Sequence, residues 1–310
     1  MSLTEVPTTP LTSAVAAGSP SVLRAAPSRA GAAPLPLPRP GWGTREALLA
    51  LDEARLALPV RVPDAEAVSA LTTVVLRAGD HAVKVYPPGT DAGHLDRTAA
   101  ALSGSATALL PTVPAVTTSY GVVTLVPWLP SAGPVTWPAL GRLLRAFHDA
   151  HADADLPRWQ PLSRLPSQVA GLREEHAAVL LEARSALLGA LEEVSSQLGV
   201  GTIHGDVSPG NVVRTVRGPR LIDLDWVARA PREYDLASAA RRFAAGDISR
   251  QAYAGFCRGY GADVRSWPGL PLVNRIADLD GVAFRLWDCR QHGRGLDWVS
   301  REVALWRTPL

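Results

Sequence analysis

Lysine is almost absent from this 310-residue chain: Lys84 is the only one, and the other 30 of its 31 basic residues are arginine. Cysteine is also scarce, with only Cys257 and Cys289, so a disulfide framework is not expected. A secretory signal is missing as well, because no basic segment precedes a continuous apolar run at the N-terminus. These absences predict a cytoplasmic protein.

An excess of charge of either sign is missing too, since the formal net charge is only +2. This balance predicts neither nucleic acid nor an anionic membrane surface as a partner. No charged residue occurs between Thr98 and Gly141, a length that raises the question of a membrane span. Prolines interrupt that run at positions 111, 114, 127, 130, 134 and 138, so we interpret it as buried strand and loop rather than a spanning helix.

What is present divides the chain into a tail and two lobes. Residues 1–40 hold eight prolines, one acidic residue and no apolar periodicity, which predicts a disordered tail. A helical pattern begins at Thr44, which we predict to be its N-cap. Residues 41–130 are then rich in strand patterns, and residues 131–310 are mostly helical, with an amphipathic helix at 137–151. The predicted fold class is α+β.

Lys84 lies in the middle of a predicted strand. Segments 72–77 and 81–86 form a hairpin around Gly79, and alternation places Ala82, Lys84 and Tyr86 on one face of its second strand. The position is unusual for a solvated lysine unless that face lines a site. The survival of one lysine among so many arginines has two readings of equal weight: arginine cannot replace it, or it remained by chance.

Residues 204–226 carry the densest group of chemistry-bearing side chains. Asp206 lies in a loop shaped by Gly205 and Pro209, and Asn211 follows five residues later. A second predicted strand, 221–226, places Asp223 and Asp225 on one face. Carboxylate and carboxamide oxygens are ligands that Mg²⁺ prefers, and a third carboxylate nearby is a candidate proton acceptor.

The run His204-Gly205-Asp206, four residues and then Asn211, followed by Ile222-Asp223, resembles the aminoglycoside phosphotransferase family. That family is the small-molecule branch of the protein-kinase-like fold, and the strand around Lys84 is similar to its lysine strand. The resemblance implies a nucleotide-binding N-lobe (41–130) and a catalytic, substrate-binding C-lobe (131–310). It also implies a kinase that uses Mg²⁺ and moves the γ-phosphate of ATP or GTP to a small-molecule hydroxyl.

The resemblance assigns roles by position. Asp206 would accept or orient the proton of the acceptor hydroxyl, Asn211 and Asp223 would hold Mg²⁺, and Lys84 would bind α/β-phosphate oxygens. Asp225 is left open between a second metal ligand and a partner of the first.

Other roles follow from position as well. Adenine would use the Pro127 carbonyl and the N–H of Trp128 or Leu129 at the hinge between the lobes. His204 and Asp235 are interpreted as residues that hold the catalytic loop. The tryptophans, including Trp226 and Trp287, are interpreted mainly as packing residues, although these two could border the substrate cleft.

Two departures from the family pattern leave alternatives open. The helix after the lysine strand has no glutamate to pair with Lys84, and Asp96 is its nearest acid. A catalytically inactive nucleotide-binding module of the same fold is therefore the alternative function. Gly205 stands where many protein kinases have arginine, and only a short connection separates Asp225 from Glu233, so a protein kinase with an activation loop is disfavoured.

The identity of the acceptor is the least determined property. Residues 227–310 contain 13 arginines and 9 carboxylates, a net of +4, whereas a pocket for a polycationic aminoglycoside should be acidic. The balance favours a neutral or weakly charged hydroxyl compound, such as a sugar, an amino sugar or another antibiotic. The oligomeric state is not indicated by the sequence.

Overall fold

The computed structural model describes residues 35–310 of the chain, so most of the predicted disordered tail lies outside the described residues. Within residues 35–310, no helix has both the length and the apolar character needed to cross a membrane.

The N-terminal lobe is built on an antiparallel sheet. Its elements are α1 (Thr44–Ala54), β1 (Glu66–Ala70), β2 (Val74–Ala78), β3 (His81–Tyr86), α2 (Ala92–Ala101), β4 (Val116–Thr118) and β5 (Gly121–Pro127). The strand order is β1-β2-β3-β5-β4, so β3 and β5 lie side by side with Lys84 opposite Thr124. The predicted hairpin is confirmed, because Ala78 pairs with His81 across a two-residue loop in which Gly79 has φ +58°.

Alternation along β3 separates a core face from a cleft face. Val83 and Val85 are fully buried in the core between the sheet and α1, and each such side chain contributes about 1.5–3 kcal/mol when it leaves water. Lys84 and Tyr86 occupy the other face, as the sequence predicts. The start of α1 differs by one residue from the prediction: Gly43, not Thr44, is the N-cap, and the Gly43 N–H donates to Glu46 Oε2 at 3.1 Å.

The C-terminal lobe is mainly helical and carries two short strand pairs. Its elements are α3 (Trp137–Ala150), α4 (Leu165–Val169), α5 (Glu174–Glu192), β6 (Val200–Ile203), β7 (Val212–Thr215), β8 (Gly218–Leu221), β9 (Ala228–Pro231), α6 (Glu233–Ala244), α7 (Arg250–Tyr260), α8 (Leu270–Gln291) and α9 (Val299–Ala304). Strand β6 pairs with β9, and β7 pairs with β8. Residues 128–136 connect the two lobes.

Helix α3 anchors this lobe by the apolar face that its sequence predicts: Leu140, Leu144 and Phe147 are fully buried. The backbone of α3 lies in close contact with the backbone of α7. A Cβ atom at Gly141 would lie 2.3 Å from the Phe256 carbonyl oxygen, which is closer than real Cβ contacts allow. Glycine is therefore required for this helix pair to approach so closely.

The predicted strand 221–226 is wrong beyond its first residue. Strand β8 ends at Leu221, and residues 224–226 form a 3₁₀ turn. Asp223 has φ +61° and ψ +60°, a left-handed conformation that costs a non-glycine residue on the order of 1–3 kcal/mol. Asp223 and Asp225 consequently do not share a strand face, and their common direction has another origin, described below.

Residues 35–40 correct the predicted tail, because they pack against both lobes. Leu35 is 2% exposed, and its carbonyl accepts from Arg164 Nε at 3.0 Å. The Pro38 carbonyl accepts from Trp287 Nε1 at 2.8 Å. The apolar partners of Leu35 in the N-lobe are Tyr86, Leu95 and Val122. These contacts join residues far apart in the chain, which local sequence patterns do not reveal.

Candidate active site

The loop that carries Asp206 follows β6, and Asp235 at the start of α6 holds this loop by hydrogen bonds to its backbone. Asp235 is 1% exposed; its Oδ2 accepts from the His204 N–H at 2.6 Å and its Oδ1 from the Gly205 N–H at 2.8 Å. His148 Nε2 lies 2.8 Å from the same Oδ2, and Tyr260 Oη lies 2.8 Å from His148 Nδ1. A buried carboxylate that accepts several N–H bonds fixes a loop strongly. This arrangement agrees with the interpretation of Asp235 as a loop-holding residue.

Gly205 is required because the segment Asp223–Trp226 packs directly against its backbone. Its φ is +85°, and a Cβ atom there would lie 2.4 Å from the Trp226 carbonyl oxygen. Both the left-handed backbone and the close approach exclude other residues. The glycine thus brings the Asp206 loop against the Asp223–Trp226 segment.

His204 links the same two segments and is fully buried. Its Nε2 donates to the Ile222 carbonyl at 2.9 Å, and its Nδ1 accepts from the Asp206 N–H at 3.3 Å. Both ring nitrogens are therefore hydrogen-bonded, and His204 holds the backbone at Asp206 next to the backbone at Ile222. This agrees with the interpretation of His204 as a residue that holds the loop.

Asp206 and Asn211 are brought together by a side-chain clamp. Asn211 Nδ2 donates to the Asp206 carbonyl at 2.8 Å and to Asp206 Oδ2 at 2.9 Å. Burial, and next the charge of Asp223, raise the pKa of Asp206 to about 7. A carboxylate with a pKa near neutrality is suited to accept a proton from a hydroxyl group.

Lys84 reaches across the cleft to the two acids that follow β8. Its Nζ lies 2.5 Å from Asp223 Oδ1 and 2.7 Å from Asp225 Oδ2. This shared ammonium group, not a common strand face, is what directs both carboxylates to one point. Asp96 is not its partner, because Asp96 Oδ1 accepts from the Ala115 N–H at 2.8 Å. The partner of Lys84 that the sequence left undetermined is therefore the pair Asp223 and Asp225.

The three charges alter one another's ionisation. Burial alone would lower the pKa of Lys84, but Asp223 and Asp225 outweigh it and raise that pKa well above its usual value. Burial would raise the pKa of both carboxyls; the Lys84 charge reverses this at Asp223, whose pKa lies below its usual range. At Asp225 burial prevails despite Lys84, and the Asp223 charge adds to it, so the pKa is raised. The directions at Lys84 and Asp223 both favour a charged lysine beside an ionised Asp223.

Asn211 and Asp223 have the donor chemistry for Mg²⁺. The Asn211 amide nitrogen is turned toward Asp206, which leaves its oxygen as the potential ligand, and Asp223 is a carboxylate with 35% of its side chain exposed. Mg²⁺ typically takes one or two protein oxygens together with water and substrate phosphates. The residues therefore fit the ion. Among residues 35–310 there is no cluster of three or more His, Cys, Asp or Glu that could hold a metal on its own.

The three residues predicted for the hinge lie at the end of β5 and directly after it. Pro127 is the last residue of β5 and pairs with His81. The Trp128 N–H donates to the Asp80 carbonyl at 2.8 Å, so it is already used within the N-lobe. The Trp128 N–H is therefore not available to adenine, and the prediction of an N–H donor is limited to Leu129. The adenine contacts of Pro127 and Leu129 stay predictions.

Sequence reasoning missed two residues at the site. Tyr86 Oη donates to Asp225 Oδ1 at 2.7 Å, although alternation along β3 had already placed Tyr86 beside Lys84. The half-buried Arg164 guanidinium lies 4.9 Å from the Trp226 ring centroid, and loss of hydration lowers its pKa to about 10. No local signal marked Arg164, because its neighbours are far away in sequence.

Trp226 and Trp287 are 7% and 4% exposed, which agrees with packing roles.

Replacement of Asp235 tests the support of the loop. Asp235→Asn places an amide NH₂ group among three donors, so we expect about 1–3 kcal/mol lower stability. We also expect roughly 10²-fold lower turnover, because Asp206 would be misplaced. Thermal or denaturant unfolding and steady-state kinetics measure the two effects. Asp247→Asn, at an exposed position, is the matched control. Wild-type stability and turnover in Asp235→Asn would contradict the supporting role.

A comparison with protein families finds one match over most of the chain. The model for APH, described as the phosphotransferase enzyme family, matches residues 32–271. No curated protein matches the sequence.

Solved structures resemble the whole two-lobe architecture. Amicoumacin kinase, in complex with AMP-PNP, Ca²⁺ and Ami, gives a TM-score of 0.61 at 14% identity, over 83% of this chain and 90% of that one. A choline/ethanolamine kinase family protein from Mesorhizobium loti gives 0.55 at 19% identity, over 83% and 99%. A microcompartment-associated aminopropanol kinase gives 0.52 at 18% identity, over 84% and 94%. The predicted α+β, protein-kinase-like two-lobe fold is confirmed.

Proposed function

Since the chain belongs to the phosphotransferase enzyme family, we propose that it is an Mg²⁺-dependent kinase that transfers the γ-phosphate of ATP or GTP to a hydroxyl group of a small molecule. The family predicted from the sequence, and with it the assignment as a phosphotransferase enzyme, is confirmed. The metal, the donor nucleotide and the acceptor are parts of the proposal. A cytoplasmic location and the lack of a nucleic-acid partner stay predictions.

One observation supports the proposal: Lys84 from the N-lobe meets the acids of the C-lobe directly. Lys84 of the N-lobe bonds to Asp223 of the C-lobe, and the charges of both act on the Asp206 carboxyl. Phosphoryl transfer depends on positioning and charge neutralisation more than on covalent chemistry. A lysine, a metal-binding carboxylate and a carboxylate with a pKa near 7 supply these requirements together.

Each residue then has a distinct task. Asp206 orients the acceptor hydroxyl and takes its proton at a carboxylate oxygen. Asn211 holds Asp206 in place through Nδ2 and, with Asp223, would bind Mg²⁺, which when present neutralises charge on the phosphates. Lys84 binds phosphate oxygens of the nucleotide as a compact positive charge. His204, Gly205 and Asp235 keep the loop and the Asp223 segment in contact.

The charge around the cleft bears on the acceptor. Besides the +4 balance of residues 227–310, the half-buried Arg164 lies close enough to Asp280, Asp225 and Asp223 for their charges to act on its pKa. A guanidinium group so near the catalytic acids opposes a polycationic acceptor. We therefore propose a neutral or weakly charged hydroxyl compound.

A phosphorylation screen of the purified protein with labelled ATP tests the function. The panel holds sugars, amino alcohols and antibiotics, and unlabelled GTP serves as a competitor to identify the donor. A mock preparation from cells that lack the protein, run in parallel, identifies phosphate transfer by contaminating kinases. Transfer that occurs only with the purified protein supports the proposal; hydrolysis without transfer, or transfer that is identical in the mock preparation, opposes it.

An inactive nucleotide-binding module is the alternative that the sequence left open, because the helix glutamate is missing. That reason is weaker in the structure, since Lys84 has two carboxylate partners from another segment. Nucleotide binding without turnover for any acceptor or water would favour the alternative.

Asp223→Ala tests the metal assignment. Loss of a carboxylate ligand is expected to abolish Mg²⁺-dependent binding of ATP, as measured by calorimetric titration with and without Mg²⁺. Asp225→Ala is expected to do less, and Asp247→Ala, at an exposed position, nothing. An Asp223→Ala protein with wild-type affinity for Mg·ATP would remove Asp223 from the metal site.

A further inference from the structure

Lys84 needs a fixed orientation if its ammonium group is to meet phosphate oxygens, and α2 does not provide it. The one acid of that helix, Asp96, bonds to the Ala115 N–H. Between α2 and Lys84 lies a cavity of about 90 Å³, which α2 lines with His94, Leu95, Thr98 and Ala99. The helix thus presents no carboxylate to the lysine.

Asp225 is placed differently from its neighbour Asp223. The Asp225 side chain is 10% exposed, against 35% for Asp223. Both Asp225 oxygens are committed to the N-lobe, Oδ2 to Lys84 Nζ and Oδ1 to Tyr86 Oη, each at 2.7 Å. Asp223 commits Oδ1 to Lys84 and is the more accessible of the two to an incoming ion. The two acids therefore suit different tasks.

Tyr86 fixes this arrangement from the same strand face as Lys84. It is 5% exposed and packs with Leu35, Leu95 and Val122, so its ring has little freedom. Its hydroxyl orients Asp225, and its ring centroid lies 5.0 Å from Lys84 Nζ, within the range of a cation–π contact. One side chain thus restrains both members of the ion pair.

We propose that Asp225 and Tyr86 are positioning residues for the phosphate-binding lysine: Asp225 is its counter-ion in place of an acid on α2, and Tyr86 holds Asp225. In this assignment Asp225 is not a primary metal ligand. The catalytic consequence rests on the proposed function, whereas the orientation of Lys84 is a property of the protein itself.

The lone lysine makes the orientation directly observable. Protein grown with lysine labelled with ¹⁵N at Nζ gives a single side-chain ammonium signal, because the chain has no other lysine. Tyr86→Phe keeps the ring and removes only the hydroxyl, and we expect it to shift or broaden this signal. Asp225→Asn should do so more strongly, and Asp225→Glu should restore part of the wild-type signal. Tyr120→Phe, the same change at a residue 39% exposed, is the control and should leave the signal unchanged.

Kinetics and metal dependence complete the test. We expect Tyr86→Phe to lower kcat/KM for ATP by about tenfold, the size of one hydrogen bond to a charged group. The Mg²⁺ concentration for half-maximal nucleotide binding should stay at the wild-type value in Tyr86→Phe and Asp225→Asn, but not in Asp223→Ala.

Two results would overturn the proposal. One is an unchanged lysine signal in both Tyr86→Phe and Asp225→Asn; the other is a loss of Mg²⁺ affinity in Asp225→Asn as large as in Asp223→Ala. If Asp225→Asn does not fold, Tyr86→Phe decides alone. Failure of the proposed function looks different: the wild type would transfer no phosphate, while the lysine signal would still respond to both substitutions.

Discussion

Asp206→Asn is expected to lower turnover by about 10²–10⁴-fold, the range for a positioned general base, with folding and nucleotide binding nearly intact. The amide has the size of the carboxylate but cannot take a proton. Its carbonyl oxygen can still accept the bond that Asn211 Nδ2 makes to Asp206 Oδ2 at 2.9 Å, and the Asn211 bond to the Asp206 carbonyl is unaffected. The loop should therefore keep its shape.

Single-turnover transfer to the acceptor found in the screen measures this effect, and calorimetry measures nucleotide affinity in the same preparation. Asp247→Asn, an exposed aspartate, controls for the substitution itself. Full phosphotransfer by Asp206→Asn would show that another group accepts the proton. Loss of folding would instead indicate that the Asp206 carboxylate is mainly structural.

Lys84→Arg is expected to fold and yet lose most phosphotransfer, on the order of 10²-fold, although it conserves charge. The Lys84 ammonium lies 2.5 Å from one carboxylate and 2.7 Å from the other. A planar guanidinium is wider and longer, so it cannot occupy that point without displacing the acids or the phosphates. Tyr86 and Thr124, 5% exposed each, limit the room for adjustment.

Chemical labelling gives an independent measurement. An amine-reactive reagent has only Lys84 and the N-terminal amine to modify, since the chain has no second lysine. Saturating Mg·ATP should protect Lys84 and leave the N-terminal amine reactive, so that amine is the internal control. Wild-type activity of Lys84→Arg, together with no protection by nucleotide, would remove Lys84 from the nucleotide site.

Local patterns were sufficient wherever the physical cause is local. Alternation along β3 placed Lys84 and Tyr86 opposite the buried Val83 and Val85, because successive strand residues point to opposite faces. The apolar spacing of α3 marked its buried face for the same kind of reason. The spacing from Asp206 to Asn211 identified two residues that a side-chain hydrogen bond joins in the structure.

The sequence by itself therefore determined the two-lobe division, the pairing of Asp206 with Asn211 in one loop and the face of Lys84. Only the tertiary structure decided what Lys84 bonds to, since its partners lie 139 and 141 residues away. It also decided that Asp223 leaves the strand in a left-handed conformation and that residues 35–40 pack across both lobes. Such contacts depend on which elements meet in space, and burial and charge pairing at those meetings outweigh the preferences of the local chain.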